Sequence, residues 1–302
     1  MKKILITGGT AFVSRYAASY YVERGDEVYV LNRGRSTQVE GVHWIKGDRN
    51  DLTDELKGHH FDAVLDITAY TRQDVADLLA ALDTFDDYIL ISSSAVYPES
   101  STQPFREDRP VGHNKIWKEY GTNKIAAEQY LLERIPTAYV LRPPYLYGPM
   151  QNIYRELFVF DCALQDRPFY LPGDGSMPLQ FFYIEDLCRF MDILIEKRPE
   201  QRTFNVGNKR PVSVREWVEI CYEVCGKTPT FVYVEDPIEQ RDYFPFYRYA
   251  YHLDVSRQES LMPKTESLYD GLRKSLEYYI RSDAKIDKRG YAEFIKRHLE
   301  NR

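Results

Sequence analysis

"MKKILITGGTAFVSRYAASYY" (Met1 to Tyr21) is the stretch on which the fold turns. Ile4, Leu5 and Ile6 form a short apolar run, glycines follow at once, and a helical pattern begins near residue 13. Strand, glycine-rich turn and helix in immediate succession are the setting of a nucleotide-binding turn. Such turns carry glycine at three positions spaced three apart, for a tight bend, for close backbone approach to a pyrophosphate and for close packing of helix on strand. Gly8 holds the first position, with Gly9 beside it, whereas Ala11 and Ser14 stand at the second and third. Ala11 adds one methyl where an anion would pass, and Ser14 adds a small hydroxyl side chain where helix meets sheet. Neither is bulky, and the helix N-terminal amides still point toward an anion. The turn is therefore expected to hold a dinucleotide with altered affinity or geometry, through Gly8, Thr10, Ala11, Phe12 and Val13.

Outward from the turn, β-rich runs alternate with helical stretches through the first half of the chain. Strands are expected at Lys3–Ile6, Glu27–Leu31, Val42–Ile45, Ala63–Ile67, Tyr88–Ser92 and Ala138–Leu141, with helices near 13–24, 72–82 and 117–134. Near-continuous apolar strands separated by helices indicate parallel strands covered on both faces, a doubly wound α/β sheet of Rossmann type. Gly25 reads as the C-cap of the first helix. Later the rhythm changes: "RPFYLPGDGSMP" (167–178) reads as a loop or hairpin, 184–197 as a helix and "TFNVGN" (203–208) as a short strand. "SVREWVEICYEVCG" (213–226) reads as a helix with Ser213 as N-cap. The expected division is a dinucleotide-binding domain over 1–150, rejoined by segments around 181–207, and a smaller substrate-binding domain over 151–302.

Composition narrows the class of protein. The chain has 302 residues, 43% of them hydrophobic, enough for one large or two modest domains with a substantial core. No apolar run approaches the ~20 residues that span a bilayer. Acids outnumber bases 46 to 40, a net charge of −6, which argues against a surface built to neutralise a phosphate polyanion. Cys162, Cys188, Cys221 and Cys225 make no disulfide framework, and no second Cys or His pair follows Cys221 and Cys225 to complete a zinc site. Reduced, mostly buried thiols and no bound metal are expected, and the strand at the very N-terminus, with no apolar leader, points to the cytoplasm.

Three further features carry chemistry. "LNRG" (31–34) closes the second strand with Asn32, 24 residues after Gly8. A carboxylate here would hold the adenosine ribose hydroxyls and favour NAD. Asn32 followed by Arg33 suits a 2′-phosphate, so NADP is favoured over NAD, unless Arg33 simply solvates a loop. "KGDRND" (46–51) places Asp48 and Arg49 after the third strand; Asp48 either accepts a hydrogen bond from an adenine amino group or serves the turn. "YILISSSAVYP" (88–98) ends the fifth strand in three serines, and "EYGTNK" (119–124) supplies Tyr120 and Lys124, one helical turn apart on one face. An ammonium beside a phenol favours the phenolate, and a serine hydroxyl at a strand's end can bond a substrate oxygen beside the tyrosine. A lone Tyr-x-x-x-Lys is a weak signal in a chain with 25 tyrosines. Preceded by a serine-ended strand and a glycine-rich first turn, it is a specific one.

These motifs resemble the extended short-chain dehydrogenase/reductase superfamily in its NAD-dependent epimerase/dehydratase branch. The resemblance covers nearly the whole chain and includes "LRPPYLYGP" (141–149), "PGDGSMPLQFFYIEDL" (172–187), "FNVGN" (204–208) and "LDVSRQ" (253–258). It implies a Ser93–Tyr120–Lys124 set: Ser93 steadies an oxyanion, Tyr120 transfers a proton, and Lys124 holds the nicotinamide ribose while tuning Tyr120. Pro143, Pro144 and Tyr145 match the stretch that packs along the nicotinamide. The implied activity is NAD(P)-dependent epimerisation or reduction of a sugar nucleotide or related carbohydrate, in a homodimer formed through the helices near 72–82 and 117–134.

Departures from the family pattern shape the expectation. Ser94 and Ala95 stand where the family's dehydratases carry Asp-Glu, which sets dehydration below epimerisation or reduction. Leu179 and Gln180 stand where an arginine for a nucleotide diphosphate is common, leaving Arg210, Arg241 or Arg248 to supply that charge. Ser94, Tyr145 and Arg248 are the candidate substrate contacts. "RDYFPFYRYAYH" (241–252) either lids a substrate or packs as loop and strand, and His113, seven residues before Tyr120, is either a second acid/base group or a loop residue. Within the family, "NRG", "GDRND" and "DIT" (66–68) resemble the subgroup that includes the chloroplast stem-loop-binding proteins, which are associated with RNA. That raises a competing expectation, a non-catalytic or regulatory dehydrogenase-fold protein binding RNA or a dinucleotide. The negative charge opposes it, and the intact Ser93–Tyr120–Lys124 set speaks for an enzyme.

Overall fold

In the computed structural model, which describes residues 1–235, 237–282, 286 and 288–300, the first half of the chain winds a parallel sheet. β1 (Lys3–Thr7) leads through the glycine turn into α1 (Phe12–Glu23), followed by β2 (Glu27–Asn32), β3 (His43–Lys46) and β4 (His60–Asp66). α2 (Arg72–Ala81), β5 (Thr84–Ile91), α3 (Glu119–Arg134) and β6 (Tyr139–Arg142) come next. The second half adds β7 (Tyr145–Tyr147), α4 (Glu156–Leu164), β8 (Phe169–Pro172), β9 (Pro178–Leu179), β10 (Phe181–Tyr183) and α5 (Ile184–Lys197). It closes with β11 (Thr203–Asn205), β12 (Val212–Ser213), α6 (Val214–Val224), β13 (Phe231–Val234), α7 (Gln240–Tyr243), α8 (Ser256–Leu261), α9 (Leu268–Arg281) and α10 (Tyr291–His298).

Seven strands lie in the order β11-β6-β5-β4-β1-β2-β3, all parallel. Successive side chains of a strand face opposite ways, and here each direction is apolar. Ile4, Ile6, Ala63, Leu65, Ile89 and Ile91 join a core with α1 on one face, where α1 packs on α5. Leu5, Val64, Leu90 and Val140 join a core with α2 and α3 on the other. This double covering makes the near-continuous apolar strands necessary. Winding reverses between β1 and β4, so a crevice opens outside their carboxyl ends, the usual ligand position in such sheets.

Most expected elements sit where the pattern places them, and the departures have local causes. β4 and β5 start at His60 and Thr84, earlier than their apolar runs, because these polar residues pair with one another at the sheet's open end. α3 starts at Glu119 instead of 117. The buried Asn114 side chain accepts the Ile116 and Trp117 N–H groups at 2.9 and 3.2 Å, winding a separate turn, and Lys118 then takes φ 48°. "FYLP" is a buried strand, not part of a hairpin: its partner is β13, in parallel, about sixty residues further on. Gly25 sits at φ 87° just past α1, and Ser213 accepts the Glu216 N–H at 3.0 Å at the start of α6. Cys162, Cys188 and Cys221 are buried free thiols and Cys225 is partly buried. Among the described residues no helix is long and apolar enough to cross a membrane.

Buried charge docks α3 on the sheet. Arg142, ending β6, donates from Nε and Nη2 to the Glu128 carboxylate of α3 at 3.0 and 2.5 Å, and from Nη1 to the Tyr97 hydroxyl at 2.8 Å. Ser92, just past β5, donates its hydroxyl to the same carboxylate, and Tyr97 passes its own proton to Asn205 Oδ1 at 2.8 Å. Removing one partner of such a pair strands the other in a dry site at a cost of about 3–5 kcal/mol, more than the pair itself contributes. Arg142→Met is therefore expected to lower unfolding free energy by about that much, and adding Glu128→Leu to recover a large part, as read from urea midpoints. No recovery in the double variant would show that the two side chains do not act as one buried pair.

Candidate active site

The glycine turn holds the crevice open by backbone shape. Gly8 and Gly9 adopt φ 98° and 85°, which disfavours any side chain. A Cβ at Gly8 would fall 2.7 Å from Ser14 Oγ and 2.9 Å from Thr68 Cγ2, and one at Gly9 would fall 2.6 Å from Val30 Cγ1. Ala11 is the N-cap of α1 and offers no side-chain cap, so the first-turn amides of α1 have no side-chain acceptor. That is the donor set a pyrophosphate needs. Ser14, buried, donates its hydroxyl to Ala11 O at 3.0 Å and so ties the first turn closed.

Two cavities follow the carboxyl ends of the strands and share Thr68 and Tyr70 at their junction. The first, about 380 Å³, is lined by Gly8, Thr10, Asn32, Arg33, Asp48 and Arg49 among others, bringing those expected cofactor contacts together. Their free capacity differs. The Asn32 amide donates to Gly8 O at 2.6 Å and to Gln38 Oε1 at 2.8 Å, bracing the turn. Arg49 grips the fully buried Asp66 with both terminal nitrogens, at 2.8 and 3.0 Å, and is largely a structural cation. Arg33 stands exposed at the rim, 3.7 Å from Asp48.

The second cavity, about 360 Å³, gathers Ala11, Phe12, Val13, Ser93, Tyr120, Lys124 and Pro143. Gly121 lets α3 approach this closely, since a Cβ there would lie 2.4 Å from the Ala95 carbonyl oxygen in the short 3-10 turn after β5. Tyr120 is 39% exposed and reaches the cavity beside Ser93. Desolvation pushes the Tyr120 phenol upward; the Ser93 hydroxyl, through a hydrogen bond, and the Arg155 charge pull it down. Lys124 is buried, donating to Ala69 O at 2.6 Å and Ile91 O at 2.8 Å, with its ammonium 6.0 Å from the Tyr120 ring centre. Burial lowers Lys124 to about 8.

The expected substrate contacts are more dispersed. Ser94 is buried and its hydroxyl donates to the Tyr251 hydroxyl at 3.1 Å. Tyr145 is buried against Phe246 and Tyr251. Arg248 lines a third cavity, about 740 Å³, between the turn after β8 and the segment leading to α7. His113 is exposed and lines none of these three cavities. In the run 241–252, Tyr243, Phe244, Phe246 and Tyr251 are buried in the core, whereas Asp242, Tyr247, Arg248 and Ala250 are exposed. Sequence reading passed over Tyr70, Asn152, Ile153 and Arg155, which line the second cavity. All four lie in loops, where no periodicity marks which side chains face a cavity.

With that geometry in view, the profile of the NAD dependent epimerase/dehydratase family matches residues 4–207, from β1 past β11. The chain belongs to the NAD dependent epimerase/dehydratase family. Among its family relatives it is 26% identical over 284 residues to the chloroplast stem-loop binding protein of 41 kDa b of Arabidopsis thaliana, covering 86% of this chain and 74% of that one. It is 25% identical over 269 residues to a UDP-glucose 4-epimerase of Corynebacterium glutamicum, covering 74% and 80%. The fold matches Bordetella bronchiseptica WbmH, solved in complex with NAD+, at a TM-score of 0.75 and 17% identity, over 94% of this chain and 100% of that one.

The buried ammonium makes a measurable prediction. Between about 8 and the ordinary value of 10.5, the unfolded chain keeps a proton on Lys124 that the folded chain has released, so this group makes stability rise with pH there. The unfolding free energy of the wild type, relative to Lys124→Met, is expected to rise by about 2 kcal/mol from pH 7.5 to 9.5. A difference that stays flat would mean that Lys124 titrates as a free lysine.

Proposed function

We propose that this family member is an NAD(P)-dependent epimerase or reductase that oxidises and reduces a hydroxyl-bearing carbon of a sugar nucleotide or related carbohydrate. The observation that carries the reading is the meeting of Ser93 and Tyr120 in the cavity that begins at the glycine turn and holds Lys124 in its wall. The glycine cradle and the uncapped start of α1 fit a dinucleotide's pyrophosphate, and the second cavity lies where its reactive end would reach. The nicotinamide, when bound, supplies a hydride acceptor and donor.

In this reading Tyr120, as phenolate, takes the proton of the substrate hydroxyl as the carbon–hydrogen bond gives up its hydride, so a carbonyl forms and charge balances. Ser93 donates to the substrate oxygen while its negative charge develops. On return, Tyr120 gives the proton back to that oxygen. Epimerisation requires the carbonyl compound to turn over and be reduced on its other face; reduction alone does not. Lys124 places its ammonium 6.0 Å from the ring centre of Tyr120 while anchored to the loop after β4 and to the end of β5. The likeness to the stem-loop binding protein supports a second reading, RNA binding, which rests on that relative's name and is opposed by the net charge of −6.

For the cofactor, exposed Arg33 and neutral Asn32 support NADP over NAD. NADPH is expected to bind more tightly than NADH in calorimetric titration, and Arg33→Ala to remove most of the gap; equal or NAD-biased affinity in the wild type would overturn this part. Tyr120→Phe is expected to lower turnover by at least about 100-fold while leaving cofactor affinity within about twofold. Full turnover in Tyr120→Phe would exclude it as the proton carrier.

A further inference from the structure

The second cavity has an unbalanced charge. Lys124 and Arg155 line it, and no carboxylate does among the described residues, in a chain whose net charge is −6. Lys124 is committed, with two of its N–H groups on the Ala69 and Ile91 carbonyls. Arg155 is not: among the described residues its guanidinium makes no ion pair and no hydrogen bond. It lies instead over two aromatic faces, 5.0 Å from the ring centre of Tyr145 and 5.6 Å from that of Phe246.

This posture is built rather than incidental. Both rings are buried in the core, one from β7 and one from the 241–252 run. The backbone of Arg155 is fixed just ahead of α4, its N–H donating to Ile153 O at 2.8 Å and its carbonyl accepting from Phe158 N–H at 3.1 Å. Aromatic faces attract and orient a guanidinium but leave its charge uncancelled and its donors free. A planar fork so held matches a carboxylate with two parallel hydrogen bonds. It lines the same cavity as Ser93 and Tyr120, and its charge acts on the Tyr120 phenol.

We propose that Arg155 holds a carboxylate on the carbon next to the one oxidised, so that the site takes an acidic sugar of the uronate kind and disfavours the neutral one. The proposal rests on the hydride-transfer reading and deepens it. The other anion within reach is the cofactor's own pyrophosphate, and the test separates the two.

Protein saturated with reduced cofactor is titrated by calorimetry at low ionic strength with UDP-glucuronate and with UDP-glucose, which differ by a carboxylate in place of a hydroxymethyl group. UDP-glucuronate is expected to bind at least about tenfold more tightly, the gain of one charge-assisted pair. Arg155→Gln should erase the preference while leaving UDP-glucose and cofactor affinities unchanged, and Arg155→Lys should keep part of it. Equal affinities, binding of neither sugar nucleotide, or a preference that survives Arg155→Gln overturns the proposal. So does a loss of cofactor affinity in Arg155→Gln, which would assign the guanidinium to the pyrophosphate. Failure to bind NADH or NADPH at all, in a titration with no sugar present, would instead sink the hydride-transfer reading itself.

Discussion

Glu128 and Arg142 meet with only 4% and 7% of their side chains exposed, and two charges taken this far out of water tolerate little change in distance or angle. The pair joins the middle of α3 to the carboxyl end of β6, and through Ser92 to the end of β5. Those are the two strand ends that carry Ser93 and Pro143 into the second cavity. A hydrophobic contact at this place would hold α3 against the sheet equally well but would let it slide, because apolar packing is not directional. The buried pair therefore acts on register, and register is what a proton-transfer site needs.

One face of α3 then reads as a polar stripe. Tyr120, Lys124 and Glu128 follow at intervals of four, so they point the same way along the helix. Each meets a different depth of the sheet's edge: the phenol faces the cavity, the ammonium sits on the Ala69 and Ile91 carbonyls, and the carboxylate closes on Arg142. Lys124 is charged below about pH 8 despite burial, because Asp66 and Glu128 offset part of the desolvation that lowers it. The stripe has Gly121 beside it for a steric reason, as any side chain there would strike the Ala95 carbonyl and lift Tyr120 away from Ser93.

The sheet was legible in the sequence because double burial writes itself as apolar runs, and because Gly8 and Gly9 mark a bend between the first strand and helix that glycine makes comfortably. The serine-ended strand and the pair Tyr120 and Lys124 were legible for a related reason, as a strand end and a helix face, while the choice of Ser93 among the three serines came from the family resemblance. Less legible was whatever depends on a partner distant in the chain. "FYLP" reads as part of a loop or hairpin because its true partner, β13, lies so far downstream. Tyr70 and Arg155 come from loops, where no periodicity says which way a side chain points. The spacing of Tyr120 and Lys124 put both on one face of α3, but it did not show that Arg155, from a loop, brings a second positive charge to bear on the phenol. Helical spacing establishes that two groups share a face; the direction of a long, flexible side chain depends on the carbonyls it finds.

The glycine turn itself looks different once Ser14 is seen in place. Its hydroxyl oxygen occupies the space that a Cβ at Gly8 would need, and its proton closes on the Ala11 carbonyl. The first position must then remain glycine partly because the third is serine, so the two are coupled rather than one retained and one lost. Asn32 adds a second brace from the end of β2, holding the Gly8 carbonyl from the other side. A turn pinned at both ends by side-chain hydrogen bonds presents its free amides in one fixed direction without the flexibility of a third glycine. Ala11 is thereby the single addition to the anion's path, and one methyl group at an uncapped helix start narrows that path without removing any donor.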